Sequence, residues 1–170
     1  MSTVRATAIN HVSISAPDLE ASVRFYTEIF GMERVAAPTF PGQRVAWLRL
    51  GDQQLHLFER EVAAPQFHHL GLDIDDFEAV YLKMRELRMN DEGTFSEGVF
   101  ELPGGEAQMY LRDPAGNLVE IDWPDASTLD RNVITDMVRL ADVVPQGPGS
   151  LDARLYLGRP EPAAKARDQD

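Results

Sequence analysis

Residues 11–21 read HVSISAPDLEA and residues 69–79 read HLGLDIDDFEA. Laid over each other at an offset of 58, His11 meets His69, Asp18 meets Asp76, Glu20 meets Glu78 and Ala21 meets Ala79, with Leu19 opposite Phe77. Self-similarity at a fixed offset marks one supersecondary unit used twice. Each copy opens on a β-prone run, Ile9 to Ile14 and Phe67 to Ile74, and passes at once into a helical pattern. In the first copy Pro17 and Asp18 suit a helix start, Leu19, Val23, Tyr26 and Ile29 recur at three-to-four spacing, and Gly31 stops the helix. In the second, Asp75 with Glu78 reads as a capping box ahead of the stripe Phe77, Val80, Tyr81, Met84 and Leu87.

Outward from these helices, three more strands complete each copy. The first supplies Glu33 to Ala37, Arg44 to Leu50 and Gln54 to Phe58, divided by Pro41-Gly42 and Gly51-Asp52. The second supplies Gly98 to Glu101, Ala107 to Arg112 and Leu118 to Ile121, divided by Pro103-Gly104-Gly105 and the turn Asp113-Pro114-Ala115-Gly116-Asn117. Asn90 to Glu97 is polar and poorly patterned, and reads as a surface loop ahead of the alternative of a mobile pocket flap. The organisation is α+β: modules 8–60 and 67–123, a helical or edge-strand extension over 124–157, and a disordered tail over 158–170. Leu129, Val133, Met137, Leu140 and Val144 suggest one docked amphipathic helix in that extension, and Leu151 to Leu157 a short edge strand.

At 170 residues the chain suits one domain or two small halves sharing a core. The absence of cysteine removes disulfides, thiolate nucleophiles and sulfur-ligated metals, so any metal must take nitrogen or oxygen ligands. A formal charge of -12 without a dense Lys/Arg cluster argues against nucleic acid and against an anionic membrane surface. No apolar run is long enough for a membrane span, and MSTVRATAIN lacks the pattern of a secretory signal, so a cytoplasmic location is expected.

The four histidines are His11, His56, His68 and His69, each on or beside an expected strand. Strand alternation separates an apolar side, with Val12, Ile14, Leu70, Leu72, Val119 and Ile121, from a side that collects His11, His56, His69 and Glu120. A carboxylate among apolar neighbours must be paired, protonated or metal-bound. Imidazole and carboxylate ligands suit Fe, Mn, Co, Ni or Zn better than Ca or Mg. The pattern by itself leaves a metal site and scattered structural histidines both open.

The runs INHVSISAPDLEASVRFYTEIFGM, FHHLGLDIDD and YLRDPAGNLVEID resemble the vicinal oxygen chelate superfamily, which includes glyoxalase I, extradiol dioxygenases and bleomycin-binding proteins. The likeness covers roughly residues 8 to 123. It implies two tandem βαβββ modules whose curved sheets pair into a cup around one divalent transition metal per chain. The ligands it implies are His11, His69 and Glu120, with His56 at the variable fourth position. Tyr110 matches the tyrosine ahead of the Asp-Pro-x-Gly turn, where a phenol can donate to a bound oxygen, though a packed strand aromatic reads equally well. His68 is left to the helix side as a structural or surface residue. Trp47 and Phe58 are expected toward the cup.

Three functions are compatible with this resemblance. The first is a metal-dependent isomerase or lyase on a small substrate with adjacent oxygens, with Glu120, Tyr110 or His56 moving protons. The second is an extradiol-type Fe(II) dioxygenase in which His56 stands off the metal. The third is a non-catalytic small-molecule binder. A homodimer is expected, the extension covering an open sheet edge.

Overall fold

The repeat is visible atom by atom at its two helix starts. In the computed structural model, which describes residues 5–91, 93–95 and 98–157, the Asp18 carboxylate accepts the Ala21 N–H and Asp76 accepts the Ala79 N–H. Both bonds are 2.9 Å long, and each satisfies an amide that a helix leaves unpaired in its first turn. The second cap is therefore Asp76, and the expected Asp75–Glu78 box does not form. Glu78 instead accepts the Asp130 N–H at 2.7 Å.

Strand β1 (His11–Ser15) leads into α1 (Leu19–Phe30), then β2 (Glu33–Val35), β3 (Val45–Leu50) and β4 (Gln53–Phe58). The second copy repeats the order as β5 (His69–Asp73), α2 (Phe77–Leu87), β6 (Val99–Glu101), β7 (Ala107–Arg112) and β8 (Leu118–Trp123). Gly31 ends α1 with a left-handed backbone, φ 63°, which glycine adopts without strain. The first sheet has the order β1-β4-β3-β2. Its β1 runs parallel to β4 with Ser13 opposite His56, and β3 runs antiparallel to β4 with Trp47 opposite His56. Alternation turns Ala46, Leu48, Leu55 and Leu57 to the side where α1 lies against β3 and β4, and all four are buried. Leu19, Val23, Phe25 and Tyr26 fill that layer from the helix, and full burial of such side chains stabilises by about 1.5–3 kcal/mol each.

The second sheet has the order β5-β8-β7-β6-β9, where β9 (Met137–Arg139) runs parallel to β6. Leu72, Val99, Met109 and Ile121 are buried, as are Phe77, Val80, Tyr81 and Met84 of α2. The expected paired, curved-sheet cup is corrected by this topology: the strands form two separate open sheets, neither closed nor curled round. Closure requires the edge strands to hydrogen-bond with consistent tilt and stagger. In the first sheet β1 and β2 are the outer strands, and in the second β5 and β9 are.

The extension also departs from the expected single helix. A 3₁₀ turn (Ala126–Thr128) is followed by an Asp130 turn, whose side chain accepts the Asn132 N–H at 2.7 Å. Asp130 and Asn132 favour turns, and Val133 and Ile134 dilute helix propensity. The next residues add β9, then two short helices, α3 (Leu140–Val143) and α4 (Pro148–Leu151). The segment after α4 has no strand, contrary to the expectation for Leu151 to Leu157. The tail expected over 158–170 lies outside the described residues, as do residues 92, 96 and 97 of the loop expected over 90–97. Among the described residues no helix is long and apolar enough to cross a membrane.

By contact the chain divides into two compact units. One runs to Leu70 and takes in Leu111–Val119; the other holds Gly71–Tyr110 and the chain from Glu120 onward. The first unit is fastened by a buried knot. Asp113 Oδ1 accepts the backbone N–H groups of Ala115 and Asn117, at 2.9 and 2.8 Å, and Asp113 Oδ2 accepts the Tyr26 hydroxyl at 3.0 Å. Asn117 Nδ2 donates to Asp113 Oδ2 and to the Ser15 carbonyl, both at 2.9 Å. Gly116 closes the turn at φ 82°.

Candidate metal and catalytic site

Strand β4 gives the first unit a line of polar side chains opposite its core. His56 is stacked on both sides, on Trp47 at 4.2 Å between ring centroids and on His11 at 4.4 Å. Parallel β1 and antiparallel β3 place those rings on either side of it. Three ring nitrogens already have partners: His11 Nδ1 with Asn10 Oδ1 at 2.5 Å, His56 Nε2 with Gln54 Oε1 at 2.8 Å, and His69 Nδ1 with the Phe67 carbonyl at 2.9 Å. Burial first, and the neighbouring His11 second, lower the His56 pKa below the ordinary imidazole value, which favours the neutral ring. His11 and His56 line an open concavity of about 560 Å³ with Phe40, Phe58 and Trp47, whereas His69 lines a different cavity. The Trp47 Nε1–H is buried with no acceptor among the described residues.

In the second unit Tyr110, Glu120 and Asp122 share a face. Burial and then the Glu120 carboxylate raise the Tyr110 phenol above its ordinary pKa, so it stays a proton donor to Glu120. Gln108 Nε2 donates to the same phenol oxygen at 3.2 Å, and the Phe95 ring covers it at 4.6 Å. Asp122 is pushed up to about 8, by burial above all and then by the charge and hydrogen bond of Glu120, with Asp73 and Glu106 adding to it. Near neutral pH Asp122 thus carries a proton beside Glu120. Its Oδ1 is buried with no hydrogen-bond partner among the described residues. Gly71 is the neighbour that lets Asp122 in, since a Cβ there would stand 3.3 Å from Asp122 Oδ2.

The family model for the glyoxalase/bleomycin resistance protein/dioxygenase superfamily matches residues 8–121. The chain belongs to this superfamily. It is 27% identical to the mitochondrial methylmalonyl-CoA epimerase of Homo sapiens over 130 residues, 67% of this chain and 72% of the epimerase. Among solved structures, lactoylglutathione lyase from Agrobacterium tumefaciens is similar at 28% identity and TM-score 0.52, covering 69% of this chain and 94% of the lyase. Oxidase ChaP-H2 is similar at 25% identity and TM-score 0.55, with 69% and 94% coverage.

Within this superfamily member, the structure brings His11 and His56 together and holds Tyr110 by Glu120. Among the described residues, however, no three or more His, Asp or Glu side chains stand close enough to one another to hold a metal ion. The donor types do fit a first-row divalent ion. His11 Nδ1 faces Asn10 Oδ1 and His69 Nδ1 the Phe67 carbonyl, acceptors of the kind that orient a metal-binding imidazole. His68 is exposed beside a separate cavity of about 360 Å³ in the first unit. Trp123 donates Nε1–H to Thr128 Oγ1 at 2.9 Å. Asp122 is the residue that the sequence reading missed. The pattern Glu-x-Asp over 120–122, one strand period apart, was the available signal. Arg34 is paired with Glu20, Arg44 with Glu59 and Arg49 with Glu33.

Proposed function

We propose that the protein is a divalent-metal-dependent isomerase or lyase acting on a small substrate with adjacent oxygens. The observation that carries this reading is the shared face of Tyr110, Glu120 and Asp122, on which burial and the Glu120 carboxylate push Asp122 up to about 8 beside the Tyr110 phenol. A binder needs only shape and complementary polarity, whereas an epimerase must take a proton and return it, and a carboxyl pushed to about 8 is poised for that near neutral pH. The kinship with an epimerase and a lyase supports the same class.

His11, His56, His69 and Glu120 are the side chains that would hold the ion, one per chain. When bound, it supplies a Lewis-acid charge beside the substrate oxygens as negative charge develops. Tyr110 keeps its proton and would donate to oxygen, while Asp122 would take up and release the moving proton. Neutral His56 is available as a ligand or as a proton acceptor. The working domain is 8–123, with 124–157 as its appendage.

Purified protein is expected to bind about one transition-metal ion per chain, and His11→Ala, His69→Ala and Glu120→Ala each to weaken binding more than tenfold. Elemental analysis after metal reconstitution measures this, and a stoichiometry near zero would sink the reading. A second reading, an Fe(II) dioxygenase, is favoured by the sandwiching of His56 between Trp47 and His11 and by the likeness to an oxidase. Oxygen consumption with ring opening of a catechol would decide for it.

A further inference from the structure

The concavity of about 560 Å³ that His11 and His56 line continues, through Ser13 and Phe58, into a smaller one of about 290 Å³ that Arg60 lines. All of these residues belong to the first unit. Cavities of about 300–1,000 Å³ take small ligands, and the lining residues indicate which kind. Trp47, His56 and His11 stack within 4° and 15° of parallel across the neighbouring strands β3, β4 and β1. Rings stacked in that direction turn their edges, rather than their faces, away from the sheet. Aromatic edges carry the positive end of the ring quadrupole and prefer the face of another flat ring. Phe40 and Phe58, 6.2 Å apart between ring centroids, extend this wall.

The connection between β2 and β3 fixes a cation at one end of the wall. Phe40 pairs with Gln43 across a turn in which Gly42 takes φ 68°. Gln43 Oε1 accepts from Arg60 Nη2 at 2.8 Å, and the guanidinium rests 5.2 Å from the centre of the Phe58 ring. Unlike Arg34, Arg44 and Arg49, Arg60 is paired with no carboxylate among the described residues. A guanidinium has five N–H donors, and the bond to Gln43 uses one. Those left present the planar fork that a carboxylate fits. Asp52, the acidic side chain lining the larger concavity, lies beyond the opposite end of β4.

We propose that this concavity binds a flat aromatic carboxylate, its ring on the Trp47–Phe58 wall and its carboxylate on Arg60. That such a molecule is the substrate rests on the function proposed above; its binding does not, and requires no metal. The test is calorimetry on metal-free full-length protein with 2-naphthoate and its neutral isostere 2-naphthamide. Wild type is expected to bind naphthoate about tenfold more tightly, as a charge-assisted hydrogen bond implies. The net charge of -12 opposes that preference, so the preference reports a local cation. Arg60→Gln should bring the two affinities within about threefold while naphthamide binding holds, which shows the fold intact. Phe58→Ala should weaken both probes.

Equal affinities in wild type, binding of neither probe, a preference kept in Arg60→Gln, or unchanged affinities in Phe58→Ala each overturn the proposal. Should Arg60→Gln bind neither probe, Arg60→Lys decides, because it keeps the charge: a preference of about threefold or more supports the site, and its loss overturns it. A metal stoichiometry near zero would sink the isomerase reading and leave these metal-free titrations standing.

Discussion

Asp122 couples the candidate chemistry to stability. Its carboxyl titrates near 8 in the fold against an ordinary value of 3.8 when unfolded. Between those limits the native state holds the extra proton, so unfolding releases it and stability falls as pH rises from about 4 to about 8. The contribution is fully present below the unfolded value and is lost above the folded one. In metal-free protein the urea midpoint should therefore decline across that window, and Asp122→Asn should make the decline shallower. A midpoint profile identical to wild type would show that Asp122 does not titrate as the geometry requires. Asp122 is not singled out by the sequence, because strand alternation shows a carboxylate among apolar neighbours equally well at Glu120. Its elevated pKa comes from crowding with Glu120, Asp73 and Glu106, and that crowding exists only once strands from distant parts of the chain lie side by side. The pairing of Tyr26 with Asp113 was invisible for the same reason.

At the scale of elements, what the sequence revealed was whatever depends on local periodicity. Both helices and the repeated order of strands are legible from three-to-four and two-residue spacing, and the repeat aligns Asp18 with Asp76, which share the capping role. Asp18→Ala and Asp76→Ala are each expected to lower the unfolding free energy by about 1 kcal/mol, measured by urea titration. Values near zero would mean that water replaces the cap at no cost. β9 was not legible. Its three residues have no alternation long enough to stand out, and its partner β6 lies well upstream, where Val99 meets Met137 and Phe100 meets Val138. The Asp136 carboxylate holds the same stretch by accepting from Tyr81 and Arg85 of α2, a long-range bond that no window of sequence displays.

At the scale of the whole molecule, the superfamily was legible in the motifs, and the sheet closure that the resemblance implied was not what formed. β1 and β5 are outer strands of their sheets, and an outer strand is a place where a second chain can add. Exposed Ile9, at 69%, adds an apolar group ahead of β1. We propose a homodimer on these grounds, and sedimentation equilibrium showing only a single-chain species at high concentration would remove it. The Asp113 knot has a separate consequence. It joins the turn to Tyr26 and Ser15 across 87 and 102 residues of sequence. Chains are synthesised from the N-terminus, at roughly 5–20 residues per second. The Tyr26 hydroxyl and the Ser15 carbonyl therefore leave the ribosome well before Asp113 and Asn117 exist to receive them. During that interval water must serve these groups, and a chain halted just short of the turn would leave them permanently in that state. The unit whose translation begins first is the one whose last hydrogen bonds wait until Gly71–Tyr110 of the other has been made.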